Sequence, residues 1–79
     1  MVPGRRLIFT KHVLDEMSLR KIRKRDVRSA LENHDTTYPG THRTHETIVK
    51  VGTAPDGRRL AVVLDAKKER IVVTSYWRE

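Results

Sequence analysis

The chain has no cysteine, and aromatic residues make up only 5% of its 79 residues. The first absence excludes disulfides and thiol-based metal sites. The second, with apolar residues at 37%, limits the core, because a chain this short buries only about 60% of the surface that its unfolded form exposes. A single domain over residues 1–79 is expected, without a deep small-molecule cavity and with marginal stability that a homodimer or a binding partner would supplement. No apolar run is long enough to cross a bilayer or to act as a signal sequence. The expected location is the cytoplasm, with no membrane partner. Acidic residues are few as well: ten Asp and Glu against seventeen Lys and Arg leave a net charge of +7. That excess opposes compaction unless an anionic partner offsets it, and phosphate backbone is the usual partner. Solubility alone is the plainer use of such charge.

What is present falls into two halves with different periods. Pro3, Gly4 and two arginines precede any apolar pattern, so the first six residues read as a lead-in or a short edge segment. Thr10 is a helix-capping residue, and after it Val13, Leu14 and Met17 recur at helical spacing while Lys11, Asp15 and Glu16 face outward. This predicts a first helix over 11–19. Val27, Ala30 and Leu31 form the stripe of a second helix that begins after Ile22 and stops at 33–35, and the two helices are expected to form a hairpin. From Thr36 the period is two. Breakers at Pro39-Gly40, from Gly52 to Gly57 and from Ala66 to Glu69 mark off strands over 45–51, 58–65 and 71–77, with a weaker one over 36–38. Pro55-Asp56-Gly57 is a hairpin turn. Helices followed by an antiparallel meander make an α+β fold: an N-terminal helical hairpin packed on a three- to four-stranded antiparallel sheet.

Alternation sorts the strand side chains by face. Apolar bulk puts Ile71, Val73 and Trp77 under the helices and leaves Thr74 and Tyr76 on the open face. In the strand over 45–51 the same argument puts Val49 and Val51 inward and Glu46, Ile48 and Lys50 outward, so that Lys50 and Tyr76 share a face. The densest charge lies between the helices, where Arg20, Lys21, Arg23, Lys24, Arg25 and Arg28 follow one another. Arg23, Lys24 and Arg25 fall where the second helix begins, and cations there oppose the macrodipole by roughly 0.3–1 kcal/mol each. A bound phosphate reverses that sign, because it meets both the cations and the unpaired N–H groups of the first turn. A solvated basic face softened by Asp26 is the alternative. His34, His42 and His45 lie in or beside the irregular stretch 33–46. With no His-x-x-x-His pair on a helix, no cysteine, and Arg43 nearby to repel a cation, acid–base chemistry suits them better than zinc. No metal or cofactor is expected. His12 stands beside the buried stripe of the first helix, either paired with Glu16 one turn on or placed to meet a backbone phosphate.

Phe9-x-x-His12, Met17 and Arg20, then Ile22, Asp26-Val27 and Ala30-Leu31, then Tyr38-Pro39-Gly40, Lys50-x-Gly52 and Thr74-x-Tyr76-Trp77 together resemble the family known as domain of unknown function 4258, over residues 9–78. That family looks like a branch of the RelE and barnase-like (BECR-fold) group of metal-independent ribonucleases, many of them toxins paired with an antitoxin. The resemblance implies a RelE-like two-layer fold, RNA as substrate, free or on the ribosome, and a cognate antitoxin as protein partner. It also implies a site with His12 on the first helix, Lys50 on a strand, and Thr74 and Tyr76 on the last strand. Relatives commonly carry a small hydroxyl cap and acidic residues where this chain has Arg23, Lys24 and Arg25, a departure that strengthens the case for phosphate contact there. RNA cleavage without a metal needs a base for the 2′-hydroxyl proton, an acid for the leaving oxygen, and fixed cations for the charge that builds on phosphorus. The candidates are His12 as acid or base, Lys50 and Arg43 as charge stabilisers, Tyr76 as proton donor or base-stacking platform beside Thr74, and His45 as a second base. A non-catalytic nucleic-acid-binding module, and a toxin that acts by binding a protein target, are the alternatives from other classes.

Overall fold

A computed structural model describes residues 6–41 and 46–78. Its elements, in chain order, are β1 (Ile8–Phe9), α1 (Lys11–Arg20), α2 (Lys24–Glu32), β2 (Thr36–Pro39), β3 (Thr47–Thr53), β4 (Arg59–Asp65) and β5 (Ile71–Arg78). No helix among the described residues is long and apolar enough to cross a membrane.

A side chain satisfies an unpaired backbone N–H at the start of each helix, and α1 ends on backbone hydrogen bonds. Thr10 Oγ1 accepts the Val13 N–H at 3.2 Å and starts α1. The helix stops in a Schellman turn: Ile22 N–H donates to Met17 O at 2.8 Å and Lys21 N–H to Ser18 O at 3.2 Å, which sets Lys21 in the left-handed region with φ 58°. Ile22 and Met17, the hydrophobic pair of that motif, meet in the core. Asp26 then accepts the Arg23 N–H at 2.9 Å at the start of α2. At its far end the Asn33 amide donates to Thr53 O at 3.0 Å and accepts from Thr53 N at 2.7 Å, tying the helix to the end of β3.

The helices do not form the expected hairpin. α1 lies on β5, whereas α2 lies on β3 and β4, so each spends its apolar stripe on the sheet: Val13 and Met17 from α1, Val27 and Ala30 from α2. Gly52 allows the second contact, because a β-carbon there would collide with the Ala30 carbonyl. The sheet also differs from expectation. It has five strands in the order β1-β5-β4-β3-β2 and is mixed, since β1 pairs parallel with β5 through Ile8 and Ile71, and Phe9 and Val72. A strand therefore precedes the helices, and the sheet is neither three- to four-stranded nor wholly antiparallel. An isolated Ile-Phe pair is too short to display a period of two, so nothing in the pattern announces it. The short strand after the helices is real. It forms one edge of the sheet, where Pro39 is tolerated.

The face assignments need two corrections. β4 is buried on both sides: Leu60, Val62 and Leu64 join the helix-side core, while Ala61 and Val63 join a second cluster with Val49 and Val51. Apolar bulk therefore cannot tell the faces of this sheet apart. In β3, Gly52 and Ile48 lie on the helix side, which by alternation puts Lys50 there too and leaves Val49 and Val51 on the open face. In β5, the pairing slips between Val63 and Leu64, so that Leu64 faces Val72 and Val63 faces Thr74. This irregularity sends Val72 under the helices and Val73 to the open-face cluster, while Ser75 and Trp77 keep their expected side.

Candidate functional site

β1 hands the chain directly to α1, which then runs along β5. His12, Glu16 and Arg20 recur every four residues on α1 and so line one face of it. There they meet Thr74. His12 Nε2 lies 3.2 Å from Glu16 Oε2, the Thr74 hydroxyl donates to Glu16 Oε1 at 3.0 Å, and Arg20 Nη1 donates to Thr74 Oγ1 at 3.1 Å and to Ser75 O at 2.8 Å. Arg20 Nη1 also stands 3.8 Å from Glu16 Oε1. The Glu16 side chain is 29% exposed and that of His12 is 79% exposed. A partly sheltered carboxylate thus holds an exposed imidazole and a fixed guanidinium in one array.

Two residues beyond Thr74 on the same face is Tyr76, and across the sheet on β2 is Tyr38. Arg78 Nη1 donates to the Tyr38 hydroxyl at 2.7 Å, a strap from β5 to β2 over the open face. A hydrogen bond with Tyr38, then burial, raises the Tyr76 pKa above its ordinary value of 10.0. Further along the face, Arg59 Nη2 and Nη1 reach Asp35 Oδ1 and Oδ2 at 2.6 and 3.0 Å, and this fork brings the Asp35 carboxyl down from 3.8 to about 2.

On the other side of α1 the basic segment borders an open groove of about 710 Å³, lined by Lys21, Arg23, Lys24, Arg25 and Arg58 among others. Arg58 stacks on Trp77, its guanidinium carbon 3.7 Å from the ring centroid, and Trp77 Nε1 donates to Arg20 O at 2.8 Å. Lys24 Nζ sits 5.5 Å from the centre of Phe9. Asp26 satisfies one N–H at the start of α2 and lines the groove with the cations around it.

The profile of the family described as Domain of unknown function (DUF4258) matches residues 9–77. The chain belongs to that family. No curated protein and no solved structure matches it.

In this member of the DUF4258 family the residues singled out from the sequence separate into three groups. His12, Thr74 and Tyr76 lie together, the first two joined through Glu16. Lys50 does not join them: it is on the helix-bearing side of the sheet, with Nζ 2.9 Å from Glu69 Oε1. Arg43 and His45 lie outside the described residues, as does His42. The six cations divide as well, since Lys21, Arg23, Lys24 and Arg25 line the groove, Arg20 turns to β5, and Arg28 is exposed on α2. Sequence reasoning missed Glu16, Tyr38 and Arg78 as site residues. The spacing of His12, Glu16 and Arg20 was a usable signal for the first. Nothing local marks Tyr38 and Arg78, which meet only because three strand pairings bring β2 and β5 within reach.

Proposed function

We propose that the protein acts on RNA as a metal-independent ribonuclease that cleaves through the 2′-hydroxyl. The observation that carries this reading is the polar array in which His12 pairs with Glu16 and Glu16, Thr74 and Arg20 are joined by hydrogen bonds, opening onto the face that carries Tyr76. In the reaction His12 takes the 2′-hydroxyl proton on its free ring nitrogen, and Glu16 stabilises the imidazolium that results. The 2′-oxygen bonds to phosphorus and the bond from phosphorus to the 5′-oxygen breaks. Arg20, held in place by Thr74 and Ser75, meets the extra negative charge on the phosphoryl oxygens. Tyr76, on the same face two residues beyond Thr74, supplies the proton for the departing 5′-oxygen. The products are a 2′,3′-cyclic phosphate and a 5′-hydroxyl. Resemblance to the RelE and barnase-like group supports RNA as the substrate class, free or on the ribosome, and an antitoxin as the protein partner.

Cleavage of free and ribosome-bound RNA, measured in excess chelator, tests the assignment. His12→Ala and Glu16→Gln should each slow cleavage by roughly 10²-fold or more, the usual contribution of one positioned acid–base group, with Tyr76→Phe also impaired. Full activity in these variants would remove the catalytic roles. The second reading, a non-catalytic nucleic-acid-binding module, is favoured by the 710 Å³ groove and its cations, which can hold phosphates without any chemistry. It predicts salt-sensitive RNA binding and no cleavage.

A further inference from the structure

Arg58 closes the turn before β4 and is held at three points. Its carbonyl accepts the Ala54 N–H at 2.8 Å, its own N–H and Nε donate to the Asp56 carboxylate at 3.1 and 2.8 Å, and its guanidinium carbon lies 3.7 Å from the centre of the Trp77 ring. Trp77 is fixed in turn: it is paired in register with Leu60, packed against the helix-side core and bonded through Nε1 to Arg20 O at 2.8 Å. Yet the Arg58 side chain remains 56% exposed, and its two Nη groups have no partner among the described residues. Arg58 borders the 710 Å³ groove together with the four cations of the segment 21–25 and two carboxylates, Asp26 and Asp56. Both carboxylates are already engaged, Asp26 with the Arg23 N–H and Asp56 with Arg58. The groove therefore holds an excess of positive charge around a guanidinium that is fixed in place with its Nη edge open.

We propose that Arg58 anchors a second phosphate site, which takes a phosphate of the RNA strand away from the bond that is cut. That the polymer is RNA rests on the ribonuclease reading. The chemistry is that of a fork: a planar guanidinium offers two parallel N–H groups to two phosphoryl oxygens, and one that is already stacked and bonded gives up little rotamer freedom when it binds. Asp56 takes the Nε edge and leaves the Nη pair for the ligand. The open groove suits a chain that continues beyond it, whereas small ligands are buried over most of their surface. Trp77 joins this site to the catalytic array. Its indole bonds to Arg20 O, and the Arg20 guanidinium reaches Thr74 and Ser75, so the end of α1 is what separates the two. A strand that crosses there sets one phosphate on Arg58 while another lies beside Arg20 and Glu16, and substrate length becomes part of recognition.

Oligouridylates with 2′-O-methyl groups keep their phosphates and lack the nucleophile, so titrating strands of two and eight nucleotides into the full chain reads the site apart from catalysis. Trp77 is the single tryptophan, and its fluorescence reports contact at Arg58. The longer strand should bind at least about tenfold tighter than the shorter one and should change the emission. Arg58→Lys keeps the charge but loses the fork, and should remove roughly tenfold of the longer strand's affinity, the effect of losing one charge-assisted hydrogen bond. Asp56→Asn separates positioning from charge: it takes a negative charge out of the groove, yet should weaken binding because Arg58 is released. Equal affinity for the two lengths, an Arg58→Lys variant that binds like the parent, or an Asp56→Asn variant that binds more tightly overturns the proposal, as does an oligoglutamate peptide of equal charge that binds as well as the RNA. Length-dependent binding through Arg58 without any RNA cleavage leaves this site standing and removes the ribonuclease reading. RNA cleavage whose kcat/KM neither rises with length nor falls in Arg58→Lys does the reverse.

Discussion

Lys21 occupies a backbone position that glycine usually fills. Its φ of 58° costs an L-residue about 1–2 kcal/mol relative to glycine, part of which is offset because glycine would make the unfolded chain more flexible. Lys21→Gly should therefore raise stability by about 0.5–1 kcal/mol in urea unfolding. It also removes a cation from the groove lining, so RNA affinity should fall as stability rises. A variant that is less stable, or that binds RNA as well as the parent, would show that the strain serves something other than the groove. Asp35 makes a second residue-scale statement. Its pKa is depressed to about 2 by Arg59, so the pair's contribution to stability is full above the unfolded value of roughly 3.9 and fades as pH falls through the folded value. Because the pair is solvent-exposed, the effect is screened and small. Thermal unfolding between pH 5 and pH 2 should show the Asp35→Asn variant losing less stability than the parent. Parallel curves for the two would mean that the pair is not coupled to folding.

At the scale of elements, α2 carries the sharpest test. Arg23 and Arg25 stand at its start, where acidic residues suit the macrodipole and cations do not. Arg23→Glu together with Arg25→Glu should raise the thermal midpoint of the free protein slightly and sharply weaken RNA binding, with Lys24 left to pack over Phe9. Lower stability with unchanged affinity would make the basic turn structural. The helices themselves were legible in the sequence. Val13 and Met17, then Val27 and Ala30, mark the buried stripes, and Thr10 marks the first cap. Pro55-Asp56-Gly57 was legible as a turn for the same local reason: Gly57 has φ 92° and its N–H reaches Ala54 O at 2.9 Å. What escaped was long-range. Pairing of Ile8 and Phe9 with β5 depends on residues more than sixty positions away, and the slip beside Val63 and Leu64 that turns Val72 inward has no signature in a run of valines. The reversed faces of β3 follow from the double burial of β4, which makes both rows of the sheet equally apolar.

At the scale of the whole molecule, part of the excess of cations behind the +7 charge borders two surfaces that share α1: the groove beside the start of α2, and the open sheet face reached through Arg20 and Arg78. Of the residues in the proposed array, His12, Thr74 and Tyr76 were legible in the sequence as site residues. Its centre, Glu16, was not, since a helical glutamate one turn from a histidine reads first as an ordinary surface pair. Lys50 was drawn in by the reversed face. The ribonuclease proposal requires the 2′-hydroxyl to be the nucleophile. The most direct measurement compares one RNA oligonucleotide with the same strand carrying 2′-deoxyribose at its cleavage position, in excess chelator, with the product ends identified by mass. Cleavage of the RNA to a 2′,3′-cyclic phosphate, with the deoxy-substituted strand left intact at that position, is the result expected. Cleavage of both strands, or activity abolished by the chelator, would contradict it.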